Sequence, residues 1–351
     1  MSISKAEQSK RRREFRELHR SGCFVMPNPW DRGSARYLEG LGFKALGTSS
    51  GGAAWSRAYP EGDLSMDDVL AHAREIVEAT SLPVSVSFES GFAESSEELA
   101  RHTLAAANTG AAGIGIEDGT GVTSNPVWDI DTASARLRVV RATLDALGPD
   151  APLLVGRAEN FWAGRPDLAD TIKRLQAYAA AGADVLYAPG VTSREGISAI
   201  VQAVHPKPVN VLVSSDTGHT VKDIAALGVR RISVGGALAR SAWGGFMRAA
   251  RSIAEQGQFD FDHPAIGKEL DSFFTYSLRA PAELSATIAG RVEYRMGEGP
   301  LVEIPLGPAE VILSAGDVVF AWTEGSWRQE AAIPFANFCR YVADGAIVLR
   351  S

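Results

Sequence analysis

Gly156-Arg157-Ala158-Glu159-Asn160 sets an arginine, a glutamate and an asparagine directly behind the apolar run Pro152–Val155. Such a run reads as a buried strand, so these polar groups arrive together at its C-terminal end. An arginine is a planar fork that can grip a substrate carboxylate. Other apolar runs end in similar clusters: Pro27-Asn28-Pro29-Trp30-Asp31, Thr48-Ser49-Ser50-Gly51-Gly52, Ser87-Phe88-Glu89-Ser90-Gly91, Glu117-Asp118-Gly119, and Asn210 followed by Ser214-Ser215-Asp216. Glu89, Glu117, Asp118 and Glu159 would make an acidic ring suited to a hard cation such as Mg2+. The Ser50-Gly51-Gly52 turn can offer backbone N–H groups to an anionic oxygen. A cation, an arginine and an anion-binding turn together stabilise an enolate, as cleavage or decarboxylation beside a 2-oxo acid requires. Each signal has a plainer reading too. Arg157 and Glu159 could be a structural ion pair, Glu117-Asp118 a cap, and Ser50-Gly51-Gly52 only a tight turn.

The elements that must position these groups alternate. Eight short apolar runs (24–26, 45–48, 84–88, 113–117, 153–157, 185–188, 209–213 and 231–235) alternate with helical patterns at 32–41, 66–80, 95–109, 131–147, 167–181, 194–204, 220–227 and 238–256. The runs are nearly all apolar, as for strands covered on both faces. Ser65 with Asp68 and Ser95 with Glu98 resemble capping boxes, and glycines at 42, 110, 148, 182 and 228 stand where helices should end. Eight strand–helix units over roughly 235 residues have the rhythm of a (β/α)8 barrel, whose chemistry sits at the C-terminal ends of its strands. A doubly wound open sheet is the competing topology, but no Gly-x-Gly-x-x-Gly opens a first helix.

After Gly257 the pattern changes. Residues 258–279 read as a linker and a helix (264–274). Residues 280–351 read as a small α+β domain, with strands at 288–296, 301–304, 310–313, 318–323 and 327–333, a helix at 335–343 and a last strand at 347–349. Turns at Gly299-Pro300 and Glu324-Gly325-Ser326 suit antiparallel hairpins. Trp322, Trp327, Phe335 and Phe338 are expected in that domain's core.

The 351 residues carry 35 Lys and Arg against 42 Asp and Glu, a formal charge of -7, which argues against nucleic acid as a partner. The basic run Lys10–Arg13, with Arg16 and Arg20, reads as the solvated face of a first helix rather than a nucleic-acid arm. No apolar run approaches the roughly 20 residues that span a bilayer. Met1–Ser21 lacks the apolar core of a signal peptide, and Cys23 and Cys339 form no metal or redox spacing. The chain is therefore expected to be cytoplasmic, without a membrane partner.

In order and spacing, Asn28-Pro29-Trp30-Asp31, Thr48-Ser49-Ser50-Gly51, Pro83-Val84 leading to Glu89-Ser90-Gly91-Phe92, Gly113–Asp118 and Gly156–Asn160 resemble the isocitrate lyase / phosphoenolpyruvate mutase superfamily over residues 12–256. The resemblance implies a (β/α)8 barrel, a homodimer or homotetramer, Mg2+ or Mn2+, and a small 2-oxo or 2-hydroxy acid substrate. It implies that Ser50, Gly51 and Gly52 form the substrate-anion turn and that Arg157 holds the substrate carboxylate. Glu61, Glu89 and Glu117 would surround the metal, with Ser50, Arg157 and Glu117 catalytic. Trp30 and Asn210 are added as substrate contacts, and His219 as a candidate acid or base.

Three departures qualify this. Ser87 stands where the family usually has the first aspartate of an Asp-x-Asp or Asp-x-Glu pair. The segment Gly119–Asn125 lacks the Lys-Lys/Arg-Cys-Gly-His motif of the lyases that cleave isocitrate or 2-methylisocitrate. Pro189 replaces a histidine of the phosphonate-metabolising members. The expected activity is a metal-dependent C–C lyase or decarboxylase. The alternatives are a barrel that binds a carboxylate ligand or partner without turnover, and a phosphonate P–C hydrolase or mutase.

Overall fold

The structure, a computed structural model, describes residues 3–277, 283–295, 299–313 and 317–350. The chain divides into two compact units, Met1–Ala35 with Lys44–Trp243, and Arg36–Phe43 with Gly244–Ser351.

The elements follow in order: α1 (Lys5–Leu18), β1 (Phe24–Met26), α2 (Arg32–Gly40), β2 (Leu46–Gly47), α3 (Ser50–Ser56), α4 (Met66–Ala79), β3 (Val84–Ser87), α5 (Ser96–Ala107), β4 (Gly113–Glu117), α6 (Ile130–Asp145), β5 (Leu153–Arg157), α7 (Leu168–Ala180), β6 (Val185–Tyr187), α8 (Arg194–Val204), β7 (Val209–Leu212), α9 (Val221–Ala225), β8 (Arg231–Ser233) and α10 (Ala237–Arg251). A π-helical turn, Ser252–Gln256, continues α10. All eight strands run parallel in the order β1-β8-β7-β6-β5-β4-β3-β2.

The two ends of that ladder are stitched by hydrogen bonds. The Gly47 N–H donates to the Pro27 carbonyl at 3.0 Å. The Asn28 carboxamide donates to the Thr48 carbonyl at 3.1 Å and accepts the Val234 and Gly235 N–H groups at 2.9 and 2.8 Å. The sheet is thereby a (β/α)8 barrel, and Asn28 ties its first, second and last strands together.

The sequence placed these strands and helices closely, because near-continuous apolar strands and capped amphipathic helices leave few other assignments. Both capping boxes form, at Ser65/Asp68 and Ser95/Glu98. Two readings are corrected. Ser50-Gly51-Gly52 is the first turn of helix α3, whose N-cap Ser49 accepts the Gly52 N–H at 3.1 Å. The basic run at α1 is a solvated face only in part: Lys10, Arg13 and Arg20 are exposed, but three other arginines turn inward. Arg11 is buried and donates to the Val77 carbonyl, Arg12 donates to the carbonyls of Ala107 and Ala111, and Arg16 to that of Ala151. These carbonyls sit at helix ends and in the loops leading into β3, β4 and β5, so the arginines satisfy acceptors that helix termini leave open.

The second unit holds α11 (Gly267–Ser277), β9 (Glu283–Ile288), β10 (Glu293–Arg295), β11 (Leu301–Glu303), β12 (Gly307–Leu313), β13 (Asp317–Glu324), β14 (Trp327–Pro334), α12 (Phe335–Ala343) and β15 (Ile347–Arg350). Its main sheet is antiparallel in the order β14-β13-β12-β9-β15, with β10-β11 as a separate hairpin. Phe273, Phe320, Phe335 and Phe338 form its core with Trp322, whereas Trp327 is 73% exposed, against expectation. The strand expected over 288–296 is two strands, because the Ala289 and Gly290 N–H groups turn to the Ala346 carbonyl. A Cβ at Gly290 would stand 3.1 Å from Ala346, so a glycine suits that close approach. Met296 lies outside the described residues, as do positions 278–282 around the expected linker boundary. No helix among the described residues is long and apolar enough to cross a membrane.

Candidate active site

Residues from the C-terminal ends of the strands line one cleft of about 100 Å3, open to solvent. Asn28, Ser49, Ser50, Glu61, Ser87 and Arg157 are among them, as are Asn210, Gly235 and Gly236. This is the end of the barrel where chemistry is expected.

Arg157 is the last residue of β5. Its Nη1 lies 3.3 Å from Glu117 Oε2, and its Nε donates to Glu159 Oε1. The rings of Trp162 and Tyr187 flank the guanidinium, with centroids 5.2 and 5.0 Å from its carbon. Burial alone would weaken the guanidinium's hold on its proton. Glu159 and Glu117 reverse that and keep Arg157 charged. Burial likewise pushes the Glu159 carboxyl up, with Arg157 opposing.

Glu89 follows β3 with φ +46°, in the left-handed region that residues with side chains rarely occupy. Its carbonyl accepts the Glu117 N–H at 2.9 Å, which couples the ends of β3 and β4. Burial, and then the neighbouring Glu117, push the Glu89 carboxyl up to about 7; Arg157 opposes this and Glu61 adds to it. Glu89 is thus poised near half-protonation at neutral pH.

Glu61 reaches over the start of α3. A Cβ on Gly51 would stand 2.9 Å from the Glu61 carboxyl carbon, so the glycine makes room for that carboxylate. The Gly52 N–H is already used by Ser49, which leaves the Ser50 and Gly51 N–H groups as the open donors of this turn. Trp30 does not line the cleft; its Cβ packs beside Gly52 and its carbonyl contacts His72 Nε2 at 3.2 Å.

The expected metal set is only partly assembled. Glu61 and Glu117 lie near enough to perturb Glu89, but among the described residues no three His, Cys, Asp or Glu side chains are placed to hold a metal ion. Ser87 contributes no carboxylate, and the Glu117 carboxylate faces the Arg157 guanidinium. The residues therefore do not fit a three-carboxylate Mg2+ or Mn2+ site.

Asp118 is corrected more sharply. It is 2% exposed and turned behind β4, where it accepts the Glu159 N–H at 2.7 Å, Arg174 Nη1 at 3.0 Å and the Tyr178 hydroxyl at 2.5 Å. It anchors the Arg157–Glu159 segment from behind and is not part of an acidic ring. Asn160 is fully buried and bonded to Thr171 and to the Arg165 and Asp167 carbonyls, so it shapes the loop after β5. Asn210 bonds Ser233 Oγ and Arg231 Nε at 2.9 and 2.8 Å, which engages both ends of its amide. His219 precedes α9 beside Asp223 and does not line the cleft.

A family model described as phosphoenolpyruvate phosphomutase matches residues 15–254. The chain belongs to that family. A solved structure described as a lyase/mutase from Burkholderia cenocepacia J2315 is 42% identical with a TM-score of 0.73, covering 77% of this chain and 97% of that one. The 2-methylisocitrate lyase of Escherichia coli K12 is 33% identical over 43% of this chain and 52% of its own. An oxaloacetate decarboxylase of Bradyrhizobium diazoefficiens is 29% identical over 56% of this chain and 68% of its own. The phosphoenolpyruvate phosphomutase family thus accounts for the whole barrel, and the isocitrate lyase / phosphoenolpyruvate mutase resemblance is confirmed.

Within this family barrel the sequence reading passed over four cleft residues: Ser85, Tyr187, Arg231 and Ser233. Each is a polar or aromatic residue inside a strand rather than after it. The available signal was a lone polar group in an otherwise apolar run, which in a strand covered on both faces needs an interior partner.

Proposed function

We propose that this chain is a carbon–carbon lyase or decarboxylase that acts on a small 2-oxo or 2-hydroxy carboxylate through an enolate-like intermediate. The observation that carries the reading is Arg157. It is a charged guanidinium at a strand end, set by two carboxylates and two aromatic rings in the wall of the cleft. Family membership and the relatives named 2-methylisocitrate lyase and oxaloacetate decarboxylase point to the same chemistry.

In this reading Arg157 binds the carboxylate beside the oxo group. The scissile C–C bond breaks, its electron pair enters the carbonyl, and the growing charge on oxygen is met by Arg157 and by the Ser50 and Gly51 N–H groups. Glu89, with its carboxyl near 7, supplies a proton to the enolate carbon. The absence of the Cys-Gly-His loop motif favours decarboxylation, which releases CO2 and needs one proton donor, Glu89, rather than a residue of the 119–125 segment.

A second reading has two specific observations behind it. The Glu61 carboxylate lies over Gly51, where a substrate anion would approach, and among the described residues no three-carboxylate metal site forms. Both suit a barrel that binds a ligand without turning it over. The test is to incubate the protein with oxaloacetate and with branched 2-hydroxy dicarboxylates, with and without Mg2+, and to follow product release, beside calorimetry with oxalate. Turnover abolished by Arg157→Ala supports the lyase. Oxalate binding without turnover supports the binding-only barrel, and neither binding nor turnover refutes both.

A further inference from the structure

One arginine in the barrel interior has no acidic partner among the described residues. Arg231 is the first residue of β8 and is 2% exposed, yet it lines the cleft. Its Nε donates to Asn210 Oδ1 at 2.8 Å, while its Nη1 is buried with no hydrogen-bond partner. Among the described residues no carboxylate forms a salt bridge with it. Burial, opposed only by Tyr187, lowers its pKa to about 10, so it remains charged at neutral pH. A buried, unpaired guanidinium is costly, and proteins keep such groups when something else compensates them.

The strand register shows where Arg231 sits. Arg157 pairs with Tyr187, Tyr187 with Asn210, and Asn210 with Arg231. Register partners on neighbouring strands point to the same face. Arg157 and Tyr187 end their strands, Asn210 is second in β7, and Arg231 is first in β8. The row therefore winds down the inner wall from mouth to floor, through positions that such barrels usually fill with branched apolar side chains. The cleft follows it down, since Ser85, Tyr187, Asn210 and Arg231 all line it.

We propose that Arg231, held by Asn210, is a second anion-binding point at the floor of the cleft, which receives the distal carboxylate of a dicarboxylate whose other carboxylate is on Arg157. This rests on the reading of Arg157 as a carboxylate site. A carboxylate suits the floor because it brings one charge to the one Nη1 left without a hydrogen-bond partner. A dianionic phosphate would need several further donors. Tyr187 packs against Arg157 and is electrostatically coupled to both arginines.

The test is calorimetry on the intact chain with pairs of equal length, succinate against butyrate and glutarate against pentanoate. The wild type is expected to bind each dicarboxylate about 10- to 100-fold tighter than its partner, as for a charge-assisted hydrogen bond in a buried site. Arg231→Met should abolish that preference and leave monocarboxylate affinity in place, with the melting temperature unchanged or raised because a buried charge has gone. Arg231→Lys should restore part of the preference. Arg157→Met should remove binding of both members of a pair. A preference that survives in Arg231→Met overturns the proposal while the Arg157 reading stands. So does equal loss of both members together with a lower melting temperature, which marks Arg231 as structural. Monocarboxylate binding insensitive to Arg157→Met refutes the Arg157 reading itself. Loss of inorganic phosphate binding alone in Arg231→Met would replace the carboxylate with a phosphate and also overturn the proposal.

Discussion

Removing Arg157 has a predictable cost in stability as well as in turnover. Its guanidinium is the cation shared by Glu117 and Glu159, whose side chains are 20% and 11% exposed. Truncating one member of a buried ion pair typically costs about 3–5 kcal/mol, because the remaining charge is left uncompensated. Arg157→Met leaves two such carboxylates beside Glu89, but protonation relieves part of the penalty. A loss of roughly 3 kcal/mol at neutral pH is expected. The sign of the pH dependence follows from the same geometry. Burial already raises the Glu159 carboxyl and Arg157 opposes that rise, so without Arg157 its folded-state pKa climbs further above the unfolded value and the folded variant binds more protons than the unfolded chain. Its stability then falls as pH rises beyond about 4.5. Urea melts at pH 5 and pH 8 should show the larger deficit at pH 8. Adding Glu159→Gln to Arg157→Met should recover about half of the loss, since one of the two stranded charges is removed. Turnover should not return in the double variant, because the carboxylate fork is still missing. A deficit under about 1 kcal/mol and equal at both pH values would refute the description of Arg157 as the buried organiser of this site.

Glu89 gives the complementary experiment. Its folded-state carboxyl is raised to about 7, so the wild type loses stability as pH rises from about 4.5 through 7. Glu89→Gln should match the wild type at pH 4, exceed it in melting temperature at pH 8, and erase any kinetic inflection near 7; identical melts at pH 8 would refute the shift. Ser87→Asp restores the carboxylate expected at the end of β3 and should tighten Mg2+ binding about 10- to 100-fold in calorimetry, with no gain meaning that the Arg157–Glu117 pair blocks the site. Asp118→Asn weakens an acceptor shared by Glu159, Arg174 and Tyr178 and should cost about 2–4 kcal/mol in urea melts, with turnover falling through misplacement of Arg157.

The barrel was legible because its strands are short, apolar and evenly spaced, and because capping residues mark the helices between them. Residues just after the strands were legible for the same reason. Arg157, Ser50 and Glu61 line the cleft, and Glu89 and Glu117 stand beside Arg157. Pairing was not legible. A sequence shows that Glu117, Asp118 and Glu159 are acidic and close to strand ends, but not that Asp118 turns outward to Arg174 while Glu117 and Glu159 turn to Arg157. Adjacent residues leave a strand on opposite faces, so the difference between a cleft residue and a buried anchor is a single position.

The same alternation explains why Arg231 escaped notice. Arg230-Arg231 looks like a polar approach to a strand, and Arg230 does behave that way, donating to the Gly22 carbonyl at an exposed site. One residue later the chain has entered β8 and the side chain points into the barrel, level with Asn210 on β7. Asn210 interrupts Val209 and Val211, and its amide is engaged by Ser233 and by the arginine beside it. A polar residue inside a strand covered on both faces must find its partner on a neighbouring strand, and register decides which one. Read row by row, Arg157, Tyr187, Asn210 and Arg231 form one continuous wall. The position of the unpaired cation then follows from where that wall reaches the floor.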